Sequence, residues 1–267
     1  MMIQKNNFPI GVFDSGIGGT SIWKEIVALL PKEKTIYLSD SKHAPYGEKS
    51  TSEIIELSIK NTEFLLEKNC KLIVVACNTA TTNAIKYLRE HYDVPFIGIE
   101  PAIKPASLQT KTNRIGILAT KGTLNSALFE KTSNAIHQEI EIVEQVGEGL
   151  VKLIENGKLV SDEMTILLKK YINPMLEKQI DCLVLGCTHY PYLIPQIQKI
   201  TKNKIQIIDS GEAVAKQTKA ILMKNKLSSK SDLLAKKHQF YINQDKKVLE
   251  NLLQNFATKI VITEQKF

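Results

Sequence analysis

Residues 72–80 read "LIVVACNTA" and residues 182–190 read "CLVLGCTHY". Each is an apolar run that ends in a cysteine, Cys77 or Cys187, and passes at once into polar side chains. A second pair of stretches repeats likewise, "PIGVFDSGIGGTS" at 9–21 and "RIGILATKGTLNS" at 114–126. Two repeats in the same order point to a duplicated unit with one key strand per copy. Around these strands, β-branched runs alternate strictly with longer helical patterns. That alternation is the mark of α/β units with largely parallel sheets.

Strands are expected at 9–13, 34–39, 71–76, 95–99, 114–119, 139–143, 181–186, 204–209, 238–242 and 259–263. Helices are expected at 19–33, 50–69, 79–91, 123–135, 148–156, 161–178, 211–224 and 245–256. The second of these has a Ser/Thr cap region followed by Glu53. Pro101 and Pro105 mark a break and a restart. The fold expected is α/β, with two similar, doubly wound, mostly parallel-sheet domains related by pseudo-two-fold symmetry. The chain crosses to the second copy near residue 99 and returns near 208. Residues 1–98 with 209–267 form the first domain, and 99–208 the second. One flat sheet of all the strands is the alternative. Ligands of open α/β sheets sit beyond the carboxyl ends of the strands. Asp14, Asp40, Cys77, Thr120 and Cys187 all fall there, so two facing copies place two cysteines on opposite walls of one cleft.

Composition narrows the function. The 267 residues, 43% of them hydrophobic, suffice for one large or two modest domains. No apolar run nears the roughly 18–20 residues of a membrane span. The N-terminus lacks the pattern of a signal peptide, so cytoplasmic residence is expected. Net charge is +7, but only two of the 35 basic residues, Arg89 and Arg114, are arginine. Arg forks carry most direct base readout, so scattered lysines, with pairs at Lys236–Lys237 and Lys246–Lys247, read as a solvated surface rather than a nucleic-acid face. The spacing of the four cysteines, at 70, 77, 182 and 187, fits no common zinc pattern. A reducing compartment also argues against disulfides.

Cys70 and Cys182 start strands and read as buried apolar groups. Cys77 and Cys187 end strands and lead toward helix N-termini, where free N–H groups and the helix dipole favour a thiolate. A Cys77–Cys187 disulfide with a redox role is the rival, and it needs Cα atoms within about 7 Å. "FDSGIGGTS" lacks the Lys-Ser/Thr of a P-loop and the spacing of a dinucleotide site. It reads as a tight turn with exposed amides, with Asp14 and Ser15 at the rim, and Asp14 as a turn former in the plainer reading. His189 follows Cys187-Thr188 directly and is a candidate second polar group. His43 reads as a surface-loop residue, and His91, His137 and His238 receive no role.

Taken together, "FDSGIGG", "SDSKHAPYG", "VVACNTATTNA", "GILATKGT", "LGCTHYPYL" and "DSGEAVA" resemble, in order, the motifs of glutamate racemases of the aspartate/glutamate racemase superfamily. The resemblance implies interconversion of L- and D-glutamate without pyridoxal phosphate, metal or nucleotide, serving peptidoglycan synthesis. It implies two-base proton transfer by Cys77 and Cys187, with Asp14 assisting the first and His189 and Glu155 the second. "VGEGLVKLIENG" departs from the family pattern there, and Glu148 is the alternative to Glu155. Ser15, Tyr46, Gly47, Asn78, Thr79 and Thr188 match substrate positions, with Asp14 and His189 beside them and Thr120 and Thr123 as additions. Neither arginine lies in a motif, so substrate carboxylates should meet backbone N–H groups and hydroxyls. The resemblance also implies a homodimer. His189 and Pro45-Tyr46-Gly47 weigh against an aspartate enzyme, and the intact pair of cysteines against a non-enzymatic binding protein.

Overall fold

The β-branched runs fold as parallel strands, most of them too apolar to lie on a surface. The computed structural model describes residues 5–136, 139–230, 234 and 237–267. His137 and Lys236, both weighed from sequence, lie outside these. One sheet holds β1 (Ile10–Asp14), β2 (Thr35–Ser39), β3 (Leu72–Val75), β4 (Phe96–Gly98), β9 (His238–Ile242) and β10 (Ile260–Glu264). Its order is β10-β9-β2-β1-β3-β4. The other holds β5 (Arg114–Ala119), β6 (Glu141–Val146), β7 (Cys182–Gly186) and β8 (Gln206–Ile208), in the order β6-β5-β7-β8. Every pairing is parallel. Past β10 and β9, the first sheet runs second, first, third, fourth, as the second sheet does, so β1 corresponds to β5 and β3 to β7. The two expected sheets are present, the alternative of one flat sheet fails, and each sheet anchors a lobe.

Helices cover the sheets. In the first lobe these are α1 (Thr20–Leu29), α2 (Thr51–Glu67), α3 (Asn78–His91), α10 (Gly211–Lys224) and α11 (Lys247–Leu252). In the second they are α4 (Ile103–Gln109), α5 (Lys121–Leu124), α6 (Ala127–Asn134), α7 (Leu150–Glu155), α8 (Asp162–Glu177) and α9 (Ile194–Thr201). α2 opens with a full capping box between Ser50 and Glu53. α1 packs on α10, which brings the returning chain onto the first sheet. The two connectors between lobes are tied by Ser210 Oγ, which donates to Glu100 O at 2.6 Å.

Several boundaries differ from the sequence reading. The helix expected over 123–135 is two helices, because the Ser126 hydroxyl accepts from Phe129 N–H and caps a fresh start. α9 had no counterpart, since Pro191 and Pro195 mask its pattern. Both sit where a starting helix or 3₁₀ turn tolerates proline. β6 lies later than 139–143 because it pairs with β5 along its whole length, from Arg114↔Glu141 to Ala119↔Val146. The tail helix is confined to α11.

Candidate active site

The carboxyl ends of β1, β3, β5 and β7 meet where the lobes face each other. Ser15, Tyr46, Gly47, Cys77, Asn78, Thr79, Thr120, Cys187, Thr188 and His189 line one cavity of about 10 Å³ between them. That is room for about one water molecule. All four cysteines are free thiols. Cys70 and Cys182 are buried in the core, where desolvation pushes them up to about 12 and about 11. Thr123 is fully buried behind the cavity and hydrogen-bonded to Thr79 and Thr120.

Cys77 is the N-cap of α3, and its sulfur accepts from Ala80 N–H at 3.4 Å. It also contacts Ser15 Oγ at 3.6 Å. Burial, with the nearby Asp14 carboxylate, pushes this thiol well up. Asp14 ends β1 and is fully buried. Its Oδ2 accepts from Gly16 N–H and, at 2.8 Å, from Gly19 N–H, while Oδ1 accepts from Thr188 Oγ1 across the cleft at 3.3 Å. Asp14 thus shapes the turn as well as facing Cys77. Burial raises it to about 6, against the pull of His189 and the Gly19 amide.

Cys187 has different surroundings. The loop after β7 enters a 3₁₀ turn at Tyr190–Leu193, so the sulfur is not at an α-helix N-terminus as expected. Its partner is His189, whose Nδ1 lies 3.8 Å from Sγ. On the other side of the ring, Nε2 contacts Glu155 Oε1 at 2.5 Å. Burial alone would lower the His189 pKa. The Cys187 and Glu155 contacts outweigh burial and hold it well above its ordinary value. Glu155 closes α7, whereas Glu148 lies before that helix and lines an outer cavity. Glu155 is the acid in contact with His189.

The amides of the glycine-rich turn do not stand free for a substrate carboxylate. Ile17 N–H donates to Glu155 Oε1 at 2.7 Å, and Gly18 N lies 3.2 Å from His189 Nε2. A Cβ on Gly18 would lie 2.2 Å from His189 Nδ1, so only glycine allows this approach. At the cavity wall, both amide atoms of Asn78 are buried and unbonded. Unpaired polar atoms at a cavity wall are costly without a ligand.

Around the cavity, Val151, Asn61 and Asn243 gave no signal in the sequence. Val151 lines the cavity from α7 but reads as ordinary core. Asp40 Oδ1 accepts from Asn243 Nδ2, and Oδ2 accepts from the Tyr46 hydroxyl. Asn61 Nδ2 donates to the same hydroxyl at 3.0 Å. An outer cavity of about 300 Å³ leads inward past Gly47, Thr120 and Val151. Its mouth is bridged by Lys152 Nζ and Glu48 Oε2, 3.1 Å apart.

Comparison with known proteins agrees with this geometry. The family model Asp/Glu/Hydantoin racemase matches residues 10–218. A glutamate racemase from Clostridium perfringens is 42% identical over 251 residues, 94% of this chain and 96% of the relative. The solved structure of glutamate racemase isoform RacE1 from Bacillus anthracis superposes with a TM-score of 0.86 and 31% identity, covering 98% of each chain. That of Escherichia coli glutamate racemase, in complex with L-glutamate and the activator UDP-MurNAc-ala, gives 0.85 and 31%, covering 96% of this chain and 98% of that one. By sequence and by fold, the chain belongs to the Asp/Glu/hydantoin racemase family.

Proposed function

We propose that this chain is a cofactor-independent glutamate racemase whose two bases are Cys77 and Cys187. The observation that carries the reading is that two free thiols, from corresponding strands of two lobes, line one cavity. Racemisation takes the α-proton from one face of the carbon and returns a proton to the other. A single base would have to travel around the substrate, whereas one sulfur per lobe serves both faces in place. One sulfur enters as thiolate and takes the proton, and the other enters as thiol and supplies one. The reverse reaction exchanges the roles.

Each wall has its own support. His189, 3.8 Å from the Cys187 sulfur, is placed to exchange a proton with it, and Glu155 orients the ring. Asp14 plays the corresponding part beside Cys77. The free amide of Asn78 and the hydroxyls of Ser15, Thr79 and Thr120 supply donors for substrate carboxylates. In this reading, parting of the lobes would enlarge the cavity to admit glutamate. With this reading go a role in peptidoglycan synthesis, a homodimer, cytoplasmic residence and domains spanning 1–98 with 209–267 and 99–208. Among the described residues, no helix is long and apolar enough to cross a membrane.

The test is incubation with L-glutamate in D₂O with no added cofactor. Loss of optical activity with deuterium entering at Cα is the expected result. Turnover of aspartate but not glutamate would move the assignment to an aspartate enzyme, and silence with both would end the racemase reading.

A further inference from the structure

Glu155 belongs to the second lobe, yet its carboxylate is held by the first. Ile17 N–H takes Oε1, and the Ser41 hydroxyl takes Oε2 at 2.8 Å. Ser41 is buried in the 3₁₀ turn after β2, and Ser39 Oγ lies 3.0 Å from its oxygen, which restricts the hydroxyl. A Cβ on Gly16 would lie 2.0 Å from Glu155 Oε1, so the glycine turn is moulded around this carboxylate. Ser41 itself does not line the cavity.

Building on the racemase reading, we propose that Ser41 is a positioning residue for proton transfer at Cys187. By holding Glu155 Oε2 from across the cleft, it sets His189 against the Cys187 sulfur, and it does so when the lobes are together. The second wall is therefore completed by closure. A substrate bound between parted lobes faces a Glu155 that has lost two donors, so proton transfer waits until water has been expelled.

The test compares Ser41→Ala with Ser41→Thr. Loss of a hydrogen bond to a carboxylate should lower kcat about tenfold in Ser41→Ala, or ~1.4 kcal/mol. Ser41→Thr keeps the hydroxyl and should stay within about twofold of wild type. His189 faces Glu155 of α7, Cys187 after β7 and Asp14 of β1. With Glu155 loosened, the imidazolium is held less firmly. The basic limb of the kcat profile should move to lower pH in Ser41→Ala and return in Ser41→Thr. A second readout needs no racemisation: iodoacetamide labelling of Cys187 at pH 7, measured against Cys77 by peptide mass spectrometry, should slow in Ser41→Ala alone. Should Ser41→Ala not fold, Ser41→Cys replaces it as a near-isosteric, weak donor. An inactive wild type refutes the racemase reading while the labelling still judges Ser41. An active wild type with unmoved pH limb and labelling in the variant overturns the proposal, whatever happens to kcat.

Discussion

On the first wall, Cys77 caps α3 and is flanked by a hydroxyl, a backbone amide and a fully buried carboxylate held at about 6. On the second, Cys187 faces an imidazole that is itself backed by a carboxylate at 2.5 Å. The strands beneath the two cysteines correspond, but the chemistry above them does not. The scaffold repeats with a sulfur just beyond each β-strand end, while the loops differ. Enantiomers related by reflection at Cα differ in where their side chains go, so two identical walls would not suit both.

Removing either sulfur has the largest expected effect. Cys77→Ala and Cys187→Ala should each lower racemisation by about 10³-fold or more. The remaining thiol still faces one side of Cα, so each variant should exchange the α-hydrogen of only one enantiomer with D₂O. The two variants should choose opposite enantiomers. Mass spectrometry of separated enantiomers reads this, and the same choice in both would break the two-wall comparison. Next is Gly18→Ala. Its Cβ would meet His189 Nδ1 at 2.2 Å, so the imidazole must leave its place or the lobes must part. A loss of about 10²-fold in kcat is expected, with one glutamate enantiomer affected more in kcat than the other. Because the enantiomers are equal in free energy, kcat/KM must fall equally in both directions.

Asp14→Asn sharpens the first wall through stability. Burial raises Asp14 from 3.8 to about 6. Between these values the folded chain holds a proton that the unfolded chain releases. Wild-type stability therefore falls as pH rises through that window and levels off above it. Asp14→Asn should flatten this fall and gain up to roughly 3 kcal/mol near neutrality, while activity drops. Thermal melts from pH 3 to 8 check it, and an unchanged fall in the variant would contradict the assignment. The smallest effect belongs to Lys152→Met. The Lys152–Glu48 pair is more than half exposed, so less than ~1 kcal/mol is at stake. A KM change below about threefold is expected at low ionic strength and should vanish in high salt.

The sheets were readable because their signal is local. "LIVVA" and "CLVLG" are buried on both faces, and only a strand uses so many consecutive apolar residues in so short a run. The cavity-lining cysteines, hydroxyls and amide were readable because they follow those strands directly. The contacts that unite the walls left no such trace. Ser41 meets Glu155 over 114 positions of sequence, and Thr20 meets Tyr192 over 172. Neither pair has a spacing that marks it. Free amides were expected in "SGIGG", but Gly16 and Gly19 N–H are held by Asp14 of the same turn and Ile17 N–H by Glu155 of the other lobe. Val151 was hidden for the opposite reason, as a valine in a helix looks like core whether it packs or faces a substrate.

The bond from Ser210 to Glu100 has a mechanical meaning. A body hung on one thread can spin, but a body hung on two threads laced together swings about a single line. Any swing of one lobe against the other would then keep to one arc, which would return the two sulfurs to the same separation.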